Sequence, residues 1–293
     1  MQNTYKHLKA LARAVVLIWA GALCAMATAS EVVSFDYVDA QGHTAQVEAE
    51  VDAPEQTKGA PAVVLLHHAG GWRMGTTRQY AEALTAQGYV TIAPRMFDLR
   101  QMRNSLDHLG QAFGALRYAV DEMGVDPQRV SVLGLSYGSW LAIYASTEWA
   151  KQRYNEGRFG FVKAAPLYPV CWTLLASMQG RLPPKLSNPL LPGDLFELWS
   201  AKQVRFFVAG QDDYDDNDAS TCEQFVSALP ESVDRHMFSY KVYPKATHAW
   251  DQSRNQDWYE RIACKGKGCK VYARSDRAVT QQGIEDLLAF LSE

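Results

Sequence analysis

The sequence predicts an α/β fold, a mostly parallel, twisted sheet with helices on both faces. Three observations predict it. Short apolar, β-branched runs recur near 63–67, 90–93, 130–135, 161–167, 204–209 and 237–243, each with the length and texture of a strand buried on both faces. Segments with helical character near 77–87, 105–123, 138–148, 219–228 and 278–291 alternate with them, the rhythm of strand–helix–strand crossovers. The third is a serine between glycines, Gly134-Leu135-Ser136-Tyr137-Gly138, at the point where the run at 130–135 gives way to a helix.

The first residues set a compartment. Lys6, Lys9 and Arg13 precede an apolar run at 14–26, and Ala27-Thr28-Ala29 has the small-x-small pattern of a signal-peptidase site. Residues 1–29 are therefore expected to be a secretory signal, with a single mature domain over 30–293. The apolar run is shorter than the roughly 20 residues a membrane anchor needs. Segments 32–37 and 44–51 alternate polar and apolar residues around Asp39-Ala40-Gln41-Gly42, which predicts an antiparallel hairpin at a sheet edge. A polar connection follows at 54–61. The stretch 173–193, with prolines at 183, 184, 189 and 192, interrupts the α/β rhythm and is expected to form either a lid-like loop over the site or a plain surface loop.

The glycine-flanked serine reads as a nucleophile elbow, in which a sharp strand-to-helix turn lifts the hydroxyl above the sheet edge. A serine hydroxyl attacks poorly until a histidine takes its proton, and that histidine needs a carboxylate to fix its tautomer and stabilise its cation. Both follow in the required chain order. The run at 204–209 ends at Gly210-Gln211-Asp212-Asp213, and Val242-Tyr243-Pro244-Lys245-Ala246-Thr247 leads to His248. The aspartates 212, 213, 215, 216 and 218 could also form a solvated loop or a calcium loop, but the sixth-position glycine of an EF-hand is missing. Adjacent His67 and His68 point to opposite faces of an extended chain and share one ion poorly, so a histidine packed beneath the elbow is the expected reading.

These residues resemble the dienelactone hydrolase-like branch of the α/β-hydrolases over most of the mature chain. The resemblance rests on Val63-Val64-Leu65-Leu66-His67-His68-Ala69-Gly70-Gly71, the helix-to-strand run Leu84-Thr85-Ala86-Gln87-Gly88-Tyr89-Val90 with Ala93-Pro94, the elbow, Tyr168-Pro169, the Asp212-Asp213 loop, and Tyr243-Pro244 leading to His248-Ala249-Trp250. It implies an α/β-hydrolase fold with Ser136 as nucleophile, His248 as general base and Asp213 as orienting acid, with Asp212 the neighbouring alternative. Two positions depart from the family. Ser136 stands where its best-known members have cysteine, and Asp251 stands where they carry an arginine that helps hold a substrate carboxylate, which argues against an anionic dienelactone substrate. Backbone N–H groups of Tyr137 and Ala69 are expected to form the oxyanion hole, and Trp72, Trp172 and Trp250, with Tyr137 and Phe97, to line the substrate pocket.

Cysteine usage agrees with export. Apart from Cys24 in the leader, the chain carries Cys171, Cys222, Cys264 and Cys269. An even number in an oxidising compartment suggests two disulfides, here Cys171–Cys222 and Cys264–Cys269, although four cysteines allow three connectivities. A pI near 6.2 and a formal charge of −3 leave no basic footprint for nucleic acid. The expectation is an exported serine hydrolase of a small ester or lactone, periplasmic or secreted, with neither metal nor organic cofactor and no membrane contact in its mature form. A peptidase of related fold and a catalytically silent binding protein are the alternatives.

Overall fold

The β-branched and leucine-rich runs of the sequence become the interior of a single sheet. The computed structural model describes residues 30–98, 104–182, 184 and 188–293; the leader expected at 1–29, and Pro183, lie outside the described residues. Strands β1 (Glu31–Val38) and β2 (Thr44–Asp52) form the expected hairpin, and β3 (Ala62–Leu66), β4 (Val90–Pro94), β5 (Val130–Leu135), β6 (Lys163–Leu167), β7 (Gln203–Gln211) and β8 (Phe238–Thr247) complete eight strands in the order β1-β2-β4-β3-β5-β6-β7-β8. Pairings β1/β2 and β2/β4 are antiparallel and those from β4 through β8 are parallel.

Period-2 alternation distributes each central strand between two cores. Val64 and Leu66 of β3 join Val130 and Val132 of β5 on one face, beneath α2 (Ser105–Arg117), α3 (Tyr137–Ala145) and α6 (Thr221–Ser227). Val63, Leu65, Leu133 and Leu135 point the other way, beneath α1 (Thr76–Thr85) and α7 (Arg277–Ser292). Every residue of β3 and β5 is buried, so truncating Leu133 to alanine would cost about 2–5 kcal/mol. Helices sealing both faces leave the C-terminal edge of the parallel strands as the open rim.

Three regions differ from the sequence expectation. Helix α4 (Glu148–Asn155) was not separated from the helix before it; Thr147 caps it, its hydroxyl accepting from Ala150 N at 3.3 Å. The stretch 173–193 is not one loop: it begins inside α5 (Cys171–Met178), and past the helix Asn188 donates to Asn104 and Ser105 at the start of α2. Finally, 256–273 contains a two-stranded ribbon, β9 (Gln256–Glu260) paired antiparallel with β10 (Cys269–Ala273), which the reading of the sequence left unassigned.

Candidate active site

The elbow is built by glycines that no other residue could replace. Ser136 sits at φ 52°, ψ −108°, between the end of β5 and the first residue of α3. A Cβ on Gly134 would lie 2.0 Å from the Gly138 carbonyl oxygen, and one on Gly138 would lie 2.1 Å from that of Leu66. The strained serine is held by its own N–H, which donates to Leu167 O at 3.0 Å, and by its carbonyl, which accepts from Ser139 N at 2.8 Å. Strain of this kind persists only where the surroundings over-determine it, and it leaves the hydroxyl projecting from the sheet rim.

Strand β8 delivers the histidine to that hydroxyl. Ser136 Oγ lies 2.8 Å from His248 Nε2, and His248 Nδ1 lies 2.7 Å from Asp212 Oδ2. A carboxylate at Nδ1 fixes the proton there and leaves the Nε2 lone pair to receive the serine proton. Both His248 and Asp212 are 3% exposed. The imidazole packs against Tyr214, ring centroids 4.4 Å apart, and Tyr168, 5.1 Å apart.

The carboxylate on His248 is Asp212, which corrects the expectation of Asp213. Register explains the difference. Strands β7 and β8 slip between Ala209 and Gln211, where Gly210 passes so close to Pro244 that a Cβ would meet it at 2.6 Å; beyond the slip Gln211 pairs with Thr247. The next residues along, Asp212 and His248, therefore face each other. Asp213 turns away, accepting from Tyr272 N at 2.8 Å with its carboxylate and from Cys264 N at 2.7 Å with its carbonyl. Asp212 Oδ1 also caps the following short helix by accepting from Tyr214 N at 2.9 Å. Asp215 is buried, accepts from Cys171 N and Trp172 N at the start of α5, and is pushed well above the usual carboxylate range by burial and by Asp212.

A cavity of about 510 Å³ opens over Ser136 and His248, within the size range of small-molecule sites. Ala69 lines it. Tyr137 N–H, at the first position of α3, has no carbonyl one turn back to bond and points from a helix N-terminus. Gly70 lies so close to the His68 ring that a Cβ would meet it at 2.5 Å. His68 Nδ1 accepts from Gly70 N at 2.9 Å and its Nε2 contacts Thr76 Oγ1 at 2.9 Å. That pattern needs the neutral ring; burial, and then His248, hold its pKa near about 4. His67 is buried against Phe97 and donates from Nδ1 to His68 O at 2.9 Å, with burial lowering its pKa to about 3.

None of the three tryptophans expected in the pocket lines this cavity. The Trp72 ring carries the guanidiniums of Arg73 and Arg95 over it, 4.5 and 4.1 Å from its centroid. Trp172 packs in a small core with Tyr214, Ala263 and Val271. Trp250 is fully buried against Tyr168 and Tyr243 beneath α7. Phe97 and Tyr137 belong to a buried cluster with His108, whose Nδ1 is 2.7 Å from the Tyr137 hydroxyl. The walls come instead from Met74, Tyr214 and the segment carrying Gln252, Arg254, Gln256, Asp257, Trp258 and Glu260. The β-prone Trp258, Tyr259, Val271 and Tyr272 on either side of the Lys265-Gly266-Lys267-Gly268 turn were the available signal for that ribbon. Among the described residues, the stretch 173–193 contributes nothing to the cavity lining. Asp251 points into the core, so its identity says nothing about substrate charge. Arg254, three residues on, lines the cavity.

Two disulfides brace this rim. Cys171–Cys222 joins α5 to α6 with Cα atoms 5.0 Å apart, and Cys264–Cys269 closes the tip of the β9–β10 ribbon with 5.9 Å. The closed tip docks on the acid loop through Cys264 N to Asp213 O, Lys265 N to Tyr214 O at 3.0 Å and the Lys265–Asp218 pair at 2.8 Å. Among the described residues, no helix is long and apolar enough to cross a membrane.

Comparison with known proteins places this geometry. Residues 47–155 match the model of the Dienelactone hydrolase family. A carboxymethylenebutenolidase homolog from Xenopus tropicalis is 24% identical over 234 residues, covering 74% of this chain and 82% of its own. Esterase 2 of Thermogutta terrifontis superposes with a TM-score of 0.63 at 18% identity, covering 90% of this chain and 94% of its own. A structure from a study of two Rhizomucor miehei esterases gives 0.58 at 17%, covering 92% and 86%. Acylaminoacyl peptidase of Pyrococcus horikoshii reaches 0.52 at 14% identity over 75% of this chain and 38% of that one, so most of the peptidase lies outside the likeness. At these identities the solved structures establish the fold, which is that of the α/β-hydrolases.

Proposed function

We propose that this chain, which belongs to the dienelactone hydrolase-like family of the α/β-hydrolase superfamily, is an exported serine hydrolase that cleaves a small carboxylic ester or lactone through an acyl-enzyme. The observation that carries the reading is the chain of contacts from Ser136 Oγ to His248 Nε2, 2.8 Å, and from His248 Nδ1 to Asp212 Oδ2, 2.7 Å. In the first half-reaction Ser136 Oγ bonds to the substrate carbonyl carbon while its proton passes to Nε2. The oxyanion is received by the N–H groups of Tyr137 and Ala69; losing one such donor typically costs about 10²–10³ in rate. The imidazolium then returns the proton to the leaving alkoxide as the C–O bond breaks. A water, deprotonated by the same nitrogen, releases the acid and restores the serine.

Polar and apolar groups share the cavity wall: Met74, Tyr214 and Trp258 offer apolar surface, and Gln252 and Gln256 offer amides. Asp257 is neutralised by Arg274 at 2.5 Å and Lys270 at 3.1 Å. Such a site accommodates a compact ester with a partly polar substituent. Export is supported by the leader pattern in 1–29 and by the two disulfides. A peptidase reading has only the shared fold behind it, and a silent binding protein would have no use for a strained serine aligned on a buried histidine–carboxylate pair. The test is hydrolysis of a panel of short-acyl esters, lactones and acyl-peptides by wild type and Ser136→Ala. Ester or lactone turnover lost in the variant supports the reading, and equal turnover in both would overturn it.

A further inference from the structure

Asp251, three residues after the catalytic histidine, is a buried carboxylate to which the mechanism above gives no part. It is 6% exposed. Its oxygens accept from Tyr80 OH on α1 at 2.7 Å and from Tyr168 OH, beyond β6, at 2.9 and 3.1 Å. Its backbone carbonyl accepts from Gln79 of α1 at 3.0 Å, and the carbonyl of Trp250 accepts from Asp276 N, before α7, at 2.8 Å. The turn 248–251, with Ala249 at φ 54°, is thus fastened to α1, α7 and the end of β6. Tyr168, itself at φ 38°, carries the link back to the site, since its ring packs against the His248 imidazole.

The charge on this group calls for an explanation. A carboxylate buried without a cation is costly, and an apolar or amide residue could tie the same elements together at less expense. Among the described residues no lysine or arginine pairs with Asp251. Burial accordingly raises its pKa to about 6, the two tyrosine hydroxyls and the charge of His248 acting in the opposite direction. The His248 imidazolium, which arises each time Ser136 gives up its proton, is a cation whose charge acts on Asp251; Arg78, which lines a cavity with Asp251, is engaged by Asp52 and Glu82.

We infer that Asp251 is a positioning residue that acts through His248: held by Tyr80 and Tyr168, its carboxylate seats the imidazole and favours its cationic form as a second, more distant partner behind Asp212. The inference rests on the Ser136–His248–Asp212 reading. Other ionisable groups around this region are Asp212 and Asp215, His68 from the loop after β3, Tyr214 against the imidazole, Tyr80 and Tyr168 on Asp251 itself, and Arg78, Glu82 and Arg277 of α1 and α7, which line a cavity with Asp251. Asp251→Asn keeps the shape and removes the charge, and of these groups it changes directly the bonds of Tyr80 and Tyr168.

The experiment measures, from pH 5 to 9, the rate at which a fluorophosphonate labels Ser136 in wild type and Asp251→Asn, with kcat and KM for one ester alongside; labelling counts only folded, competent sites. The expected result is a fall in kcat and labelling rate of about tenfold with KM within about twofold, and an acid limb displaced to lower pH by about half a unit, because the imidazolium has lost a favourable charge. An unchanged limb and rate in a variant that labels would overturn the inference, since a merely structural tie would not respond to charge. If Asp251→Asn does not fold, Tyr168→Phe and Tyr80→Phe carry the test: kcat lowered threefold or more at constant KM supports it, and wild-type kcat in both overturns it. Failure of the wild type to label at Ser136 would instead bring down the nucleophile assignment.

Discussion

The parallel sheet and the β9–β10 ribbon both contribute to the site, but they are built on different physical terms. Ser136, Asp212 and His248 each stand one residue beyond a strand of the sheet, after β5, β7 and β8, so their separation is fixed by the ladder of a buried sheet. The ribbon is two five-residue strands with Tyr259 and Tyr272 on its surface. An isolated hairpin is marginal in water. It is held by the Cys264–Cys269 bond and by its bonds to the acid loop. On the proposed reading, the sheet supplies what the chemistry cannot vary, and the ribbon supplies what can change with the substrate.

The sharpest way to break this division is at adjacent aspartates that serve the two regions separately. Asp212→Asn should lower kcat by about 10⁴-fold, because an amide at Nδ1 favours the wrong tautomer. Asp213→Asn, at a residue whose carboxylate accepts from Tyr272 N rather than from His248, should change kcat less than about tenfold. The opposite ranking in steady-state kinetics would place the acid one residue later. Next in size is the ribbon itself. Trp258→Ala enlarges the cavity wall and should alter kcat/KM ratios between small and bulky esters by about 10–200-fold, leaving the labelling rate with a small fluorophosphonate nearly constant. Uniform loss across substrates would mean that the ribbon supports the chemistry as well.

The disulfides separate the regions by stability. Loop-closure entropy gives about 4 kcal/mol for a span like that of Cys171–Cys222 and about 2 for one like that of Cys264–Cys269; the sequence separations are 51 and 5. Replacing the first pair by alanine should lower the denaturant midpoint about twice as far as replacing the second. The second should disturb substrate selectivity more.

The smallest effect is on pH. Burial holds His67 at about 3 and His68 and His108 at about 4, below the unfolded value of roughly 6.5. Their contribution is complete above that value and is lost as pH falls from about 6.5 to 4, because the unfolded chain takes up protons first. Asp251, raised to about 6, and Asp215, also raised, work in the opposite sense, adding stability as pH falls through the same window. The three histidines predict a decline in Tm between about pH 6.5 and 4, which Asp251→Asn, by removing one of the opposing carboxylates, should steepen. All five belong to the sheet-borne half or its rim loops, so the decline should be the same in Trp258→Ala.

What the sequence disclosed follows the same line. The elbow was legible because Gly134 and Gly138 have no steric substitute, and the acid and histidine because each follows a buried strand in a fixed chain order. Asp212 and Asp213 could not be told apart, since the slip opposite Gly210 is a property of strand pairing and leaves no trace in composition. The tryptophans misled for a related reason: Trp250 lies two residues past His248 in the chain, yet the turn at Ala249 sends it into the core. The pocket wall was missed because its strands are short and remote in sequence from the elbow, and their docking depends on long-range bonds to the acid loop. Helix α5 lay under a stretch whose later prolines suggested a loop throughout.

The most direct measurement is to label the mature protein with a fluorophosphonate, confirm one adduct by intact mass, and locate it by peptide mapping. The account predicts a single adduct on Ser136, absent from Ser136→Ala and formed far more slowly in Asp212→Asn. An adduct on another residue, such as the neighbouring Ser139, or no adduct on the folded wild type, would contradict it.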